Sequence, residues 1–226
     1  MKETLWSAAL CYANPLNLGA DVAILEASGC GELHVDVKDG VFTQGFAMGL
    51  ETIEALAQQS TLPVHAHLQI ERPERHINDF VKAGCKRITI HVESTVHAHR
   101  ALQQIINAGV QAGIAVKPAT PLTKLEYLMG DVDCVHVITE DRDIARRVTL
   151  AGALDRVKIL RDNLDYAESR ATLSVEGFMT PKHTALCVKH GADMIVMDDA
   201  AVFAEGNLAA NIEAFKAQIT DELAVL

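Results

Sequence analysis

No apolar run in the chain is long enough to cross a bilayer. Positive charge is scarce as well. Twenty Lys and Arg face thirty Asp and Glu, a formal net charge of -10, which argues against binding nucleic acid by neutralising its phosphates. The five cysteines, Cys11, Cys30, Cys85, Cys134 and Cys187, are scattered and form no Cys-x-x-Cys pair. They read as small buried hydrophobes in a reducing compartment. The opening Met1-Lys2-Glu3-Thr4-Leu5-Trp6 lacks the shape of a signal peptide, so a cytoplasmic protein is expected. No Pro/Gly/Ser-rich linker divides the sequence, and residues 1–226 read as one domain with a real core. No Gly-x-Gly-x-x-Gly turn follows the first strand-like run, which disfavours an open dinucleotide-binding sheet.

What is present is a regular alternation. Strand-like runs are expected at Leu5–Leu10, Glu32–Val37, Val64–Ile70, Arg87–Val92, Gly113–Val116, Cys134–Ile138, Thr172–Val175 and Met194–Met197. Between and after them lie amphipathic segments at Leu18–Ser28, Gly49–Gln59, Pro73–Ala83, Val96–Ala108, Leu122–Met129, Leu154–Ala167, Pro181–His190 and Leu208–Ile219. Their apolar residues recur at spacings of three and four, which favours helix. Repeated strand-helix units imply parallel strands joined by right-handed crossovers. Eight of them in a chain of this size favour a closed (β/α)8 TIM barrel, with an open doubly wound sheet as the alternative.

The chain is organised around Glu32-Leu33-His34-Val35-Asp36-Val37-Lys38-Asp39-Gly40. Alternate side chains of a strand point to opposite faces. His34, Asp36 and Lys38 therefore share one face and the aliphatic residues the other. In a barrel, chemistry gathers at the C-terminal strand ends. Those ends carry His65 and His67, His91 and Glu93, Lys117, His136, Glu176, and Asp198 with Asp199. The sharpest hypothesis is one divalent ion of zinc, manganese, iron or cobalt held by His34, Asp36, His67 and Glu176. His65 should share the face of His67, either supporting it or competing with it for the ion. His91 and Glu93 are expected to line the mouth. His76, His97, His99, His183 and His190 are expected on the surface.

Along nearly its whole length the chain resembles the ribulose-phosphate 3-epimerase family. The resemblance rests on Asn17-Leu18-Gly19, His34-Val35-Asp36-Val37 with Asp39-Gly40, His67-Leu68, Arg72-Pro73-Glu74-Arg75, Asp79-Phe80, Ala83-Gly84, Ile90-His91-Val92-Glu93 and Pro118-Ala119-Thr120-Pro121-Leu122. It implies a (β/α)8 barrel of the ribulose-phosphate-binding type, a small-molecule sugar substrate and a homo-oligomer. It also implies that His34, Asp36 and His67 match three of four metal ligands, with Glu176 at the place of an Asp. The family reaction passes through an enediolate polarised by a metal, with two carboxylates on opposite faces of C3. Asp36 and Glu176 would be that catalytic pair.

Departures from the family cluster at the mouth. Lys38 and Gln69 stand where Met is expected, and Lys117 where Asn is expected. The family's phosphate grip of glycine amides is replaced by Thr139-Glu140-Asp141-Arg142-Asp143-Ile144-Ala145-Arg146-Arg147, by Gly177-Phe178, and by Asp198-Asp199-Ala200. Phe178 would fill phosphate space, and Asp198 and Asp199 would repel a dianion while accepting substrate hydroxyls. Lys38, His91, Lys117 and Gly177 complete the expected substrate-binding set. The leading expectation is a metal-dependent epimerase or isomerase of a ketose or keto-sugar derivative other than ribulose 5-phosphate. The alternatives are a genuine ribulose 5-phosphate epimerase that grips phosphate with Arg142 or Arg146, a metal-assisted decarboxylase or aldolase, and a non-catalytic barrel subunit.

Overall fold

The computed structural model describes residues 4–140 and 150–226. Eight strands, β1 (Leu5–Ala9), β2 (Glu32–Lys38), β3 (Val64–Gln69), β4 (Arg87–His91), β5 (Gln111–Val116), β6 (Cys134–Ile138), β7 (Thr172–Glu176) and β8 (Met194–Met197), pair in parallel and in chain order. β8 pairs back onto β1 and closes the barrel. The helices are α1 (Leu18–Ala27), α2 (Leu50–Gln59), α3 (Ile77–Lys82), α4 (Ala98–Asn107), α5 (Leu150–Tyr166), α6 (Pro181–Lys189) and α7 (Leu208–Val225). Among the described residues no helix is long and apolar enough to cross a membrane.

Every expected strand forms, with ends shifted by two residues at most. Two of the expected helices differ in kind. Leu122–Met129 yields only a 3-10 turn at Leu122–Leu125, since eight residues between Pro121 and Gly130 leave little length for a stable α-helix. Pro73–Ala83 divides into a 3-10 turn at Pro73–Arg75 and α3, because Arg72 enters in the left-handed conformation and His76 opens at φ -117. At the other end of the chain α7 runs six residues past its expected stop at Ile219; no Pro or Gly interrupts it.

Two apolar surfaces hold the fold together. The outward faces of the strands, with Leu33, Val35, Ile88, Ile90, Val135, Val137, Leu173 and Val175 all fully buried, pack against helix residues such as Leu25, Ile53, Leu102 and Ile105. Burying each such side chain contributes about 1.5–3 kcal/mol. The barrel interior is different, because the inward residues of β2, β3 and β4 are polar or charged from floor to mouth.

At the floor, Glu32 Oε2 accepts from Arg87 Nη1 at 2.8 Å, and Glu32 Oε1 accepts from Ser7 Oγ at 3.1 Å and pairs with His65 Nδ1 at 2.9 Å. His65 Nε2 lies 2.7 Å from Thr89 Oγ1. Thr89 has room because Gly113 faces it; a Cβ there would come within 2.0 Å of the hydroxyl. Burial opposes ionisation of Glu32, but His65 and Arg87 outweigh it and hold the carboxyl down at about 2. Arg87→Met should therefore cost about 3–5 kcal/mol, because a buried carboxylate loses its cation. Urea denaturation would show the loss, and adding Glu32→Gln should recover part of it.

Candidate active site

Strand parity delivers the predicted ligands to one point. β2 pairs with β3 so that Asp36 stands opposite His67 and His34 opposite His65. β6 pairs with β7 so that His136 meets Ser174 and Ile138 meets Glu176. His34 Nε2 lies 3.2 Å from His67 Nδ1 and 3.4 Å from both Asp36 Oδ1 and Glu176 Oε2. His67 Nδ1 lies 3.0 Å from Asp36 Oδ1 and 3.4 Å from Glu176 Oε2. Four donors placed tetrahedrally about 2.0–2.1 Å from a zinc-like ion would be about 3.4 Å apart. The spacing and the mixed N/O donor set thus fit a divalent cation. His34, Asp36 and His67 are buried, and Glu176 shows 13% of its side chain.

A fifth residue joins them. His136, read from sequence only as a polar residue near the mouth, places Nε2 2.9 Å from Glu176 Oε2. His34, His67, His136 and Glu176 offer ligand atoms within 4.8 Å of one another. Glu32, His34 and His65 do so too, but there the Arg87 guanidinium already balances the carboxylate. That lower group is an ion-paired floor, and His65 belongs to it.

The tautomers follow from the partners. His91 Nδ1 lies 3.2 Å from Glu93 Oε2, and His91 Nε2 lies 2.9 Å from His67 Nε2. A carboxylate can only accept, so His91 donates from Nδ1 and accepts at Nε2. His67 then donates from Nε2, so Nδ1, which otherwise donates to Asp36, is the atom that would turn a lone pair to a bound ion once its proton is displaced. Such outer partners orient metal-binding imidazoles. By the same logic His136 donates from Nε2 to Glu176 and accepts at Nδ1 from Ser174 Oγ at 3.0 Å.

The two carboxylates are not equivalent. Asp36 Oδ1 accepts from Gln69 Nε2 at 2.7 Å, and Asp36 Oδ2 accepts from the Cys11 thiol at 3.1 Å. Glu176 lines the open pocket at the mouth, together with Tyr12, Lys38, Gln69, His91 and Lys117. Burial and the neighbouring Glu176 push Asp36 upward, but His34 and His67 outweigh them and hold it well below the usual carboxylate range. Burial likewise opposes ionisation of Glu176, and hydrogen bonds from His136, His34 and His67 hold it low.

The imidazoles divide by sign. Burial pushes His65 and His91 down to about 4 and His136 to about 3. Burial acts the same way on His34 and His67, but Asp36 and Glu176 outweigh it, raising His67 and taking His34 to about 10. A lowered folded-state value costs stability as pH falls below the unfolded value. A raised one gives stability that is complete below the unfolded value and is lost as pH rises. Metal-free protein should therefore be most stable near about pH 6.5 and lose a few kcal/mol on either side. Urea midpoints between pH 4 and 10 would show this. Divalent ions should flatten the alkaline side, where deprotonated imidazoles bind them.

Several predicted residues stand elsewhere than expected. Asp199 is exposed and accepts from Ala200 N; one step past Asp198, it has turned out of the pocket lining. Phe178 is 37% exposed and also outside that lining, because Gly177, at φ +139, redirects the chain. Gly177 itself lines the pocket, and its glycine is required: a Cβ would come within 2.1 Å of Thr139 Oγ1. Lys117 lines the pocket with Nζ 4.4 Å over the Phe42 ring. His183 is buried, with Nδ1 2.9 Å from the Phe178 carbonyl, whereas a surface position was expected. His76, His97 and His99 are exposed. Arg142, Arg146 and Arg147 lie outside the described residues.

Fold and site together define a parallel eight-stranded barrel with a buried histidine-carboxylate centre at its mouth. The chain belongs to the ribulose-phosphate 3-epimerase family, whose model matches residues 6–203. It is 32% identical over 217 residues to the chloroplastic ribulose-5-phosphate-3-epimerase of Arabidopsis thaliana, covering 95% of this chain and 77% of that one. It is 34% identical over 176 residues to the ribulose-phosphate 3-epimerase of Treponema pallidum, covering 78% and 81%. Among solved structures, a mutant tryptophan synthase alpha-subunit from Pyrococcus furiosus superposes with a TM-score of 0.67 at 14% identity, covering 99% and 98% of the two chains. That likeness shows the shared barrel fold.

Proposed function

We propose that the protein is a metal-dependent epimerase or isomerase of a ketose or ketose derivative other than ribulose 5-phosphate. The observation that carries this reading is the set of 3.0–3.4 Å contacts that His34 Nε2 and His67 Nδ1 make with each other, with Asp36 Oδ1 and with Glu176 Oε2 at the mouth. These four residues would hold the ion, with His136 bracing Glu176. A divalent cation there supplies Lewis-acid stabilisation for an enediolate.

The remaining work falls to side chains. Asp36, on β2, and Glu176, on β7, each commit one oxygen to the cluster. The other oxygens would take or return the C3 proton, Glu176 Oε1 from the pocket and Asp36 Oδ2 after giving up its hydrogen bond from the Cys11 thiol. Two carboxylates on different strands can address opposite faces of that carbon, which inversion requires. Lys38, Gln69, His91 and Lys117 line the side of the pocket where β2 to β5 end, and there they meet substrate oxygens. Free cysteines at all five positions support a cytoplasmic location, and the family resemblance supports a homo-oligomer.

The test supplies manganese, iron, zinc or cobalt to the purified protein and follows solvent deuterium into C3 of a panel of ketoses by NMR. Exchange with inversion is expected for at least one free ketose, and only weak exchange for ribulose 5-phosphate. Cleavage products without exchange would favour the decarboxylase or aldolase reading. No exchange together with no ion retained would favour a non-catalytic barrel.

A further inference from the structure

The corner of the mouth between the β7 and β8 loops holds a carboxylate where a ligand anion would sit. Asp198 follows β8 directly and is 1% exposed. Its Oδ2 accepts from Met179 N, in the β7 loop, at 3.3 Å. Its Oδ1 accepts from Ala201 N, in its own loop, at 3.0 Å. The Asp198 carbonyl accepts from Ala201, Val202 and Phe203, so the turn carrying the side chain is tied down. Asp198 also lines the mouth pocket beside Glu176, Gly177 and Glu140.

In barrels of this architecture the loops after strands 7 and 8 commonly form a phosphate site from backbone N–H groups. Here two amides of those loops already donate to a carboxylate of the chain. A phosphate arriving at this corner would have to displace a buried anion, and it would do so beside Glu140 and Glu176. A dianion there would lose water that the two engaged amides could not replace, with Lys38 and Lys117 standing at the ends of β2 and β5 across the same pocket.

We infer that Asp198 is an internal substitute for a substrate phosphate, and that it restricts the mouth to substrates whose tail bears hydroxyls and no phosphate. The inference rests on the ketose reading above for the kind of substrate, but its central claim concerns anion binding alone. Asp198 acts as a specificity-determining residue, with no part in proton transfer. Its own contacts explain why the substitution does not unfold the corner: the carboxylate satisfies the amides that a ligand would otherwise satisfy.

The experiment titrates inorganic phosphate into metal-free wild type, Asp198→Ser and Asp198→Asn, followed by calorimetry and phosphorus NMR, with circular dichroism to verify folding. Wild type should show no saturable binding at millimolar phosphate. Asp198→Ser, which frees Met179 N and leaves Ala201 N held only by the carbonyl of residue 198, should bind at least about tenfold more tightly. Asp198→Asn, which removes the charge but still fills the corner, should fall between them. Saturable binding of phosphate to wild type, equal to that of folded Asp198→Ser, would overturn the inference, and wild type alone suffices for that result if the serine variant does not fold. Folded variants that gain nothing would overturn it too. Because phosphate binding is read without turnover, these outcomes are separate from the deuterium test, which alone decides the enzymatic reading.

Discussion

Asp36→Asn should slow proton exchange at C3 of an active ketose by at least about a thousandfold, within the range lost when a positioned acid or base is removed. Asn has nearly the same shape and can still meet Cys11 and Gln69, so the barrel should fold. What disappears is a group able to hold a proton and one anionic neighbour of His34 and His67. Glu176→Gln should cause a loss of the same order, with a difference that reports the asymmetry of the site. Glu176 lines the pocket, while Asp36 lies beneath Gln69 and Cys11. If the two carboxylates serve opposite faces, each variant should still exchange slowly from one face and should stop inverting. Tritium or deuterium washout compared with product formation separates the two steps. Retention of more than about a tenth of wild-type inversion by Asp36→Asn would place the base on another residue.

The second large effect concerns the ion. Purified wild type should contain about one divalent ion per chain, and His67→Ala should contain almost none after dialysis. The alanine removes a ligand and also breaks the line from the cluster through His91 to Glu93. His136→Leu should keep the ion but bind it about 10–100-fold more weakly, the usual cost of losing an outer partner. Mass spectrometry of the native protein and metal competition measure both without reference to turnover. A His136→Leu protein that loses the ion as completely as His67→Ala would make His136 a ligand in its own right.

Much of this was legible in the sequence. The strands at Glu32–Val37 and Cys134–Ile138 are visible because β-branched and aliphatic residues alternate with polar ones, or run together between turn signals. Parity alone put His34 and Asp36 on one face. The closure of eight strands into a ring was legible from the repeat count, and the convergence of His67 and Glu176 on that face from resemblance. The part played by His136 was harder to see. Cys-Val-His-Val-Ile reads as a buried strand with one odd residue, and only the pairing of β6 with β7 shows it beside Glu176. A stricter use of parity, placing Cys134, His136 and Ile138 inward, would have found it. The floor pair of Glu32 and Arg87 was missed because the residues lie 55 positions apart and each looks like an ordinary strand-edge charge. The fates of Asp198 and Asp199 could not be told apart, since a turn of one residue buries one and exposes the other.

The candidate ligands enter from both halves of the chain, His34, Asp36 and His67 before the barrel's midpoint and Glu176, braced by His136, after it. An ion held there would also be a cross-link. It would tie the wall formed by β2 and β3 to the wall formed by β6 and β7, fastening a loop on the order of a hundred residues whose closure otherwise depends on strand pairing and on the packing of helices against the strands. Removing it would lengthen the free path between the two walls without touching a single main-chain hydrogen bond. The seam most exposed to that loosening is the mouth, where substrate must also enter.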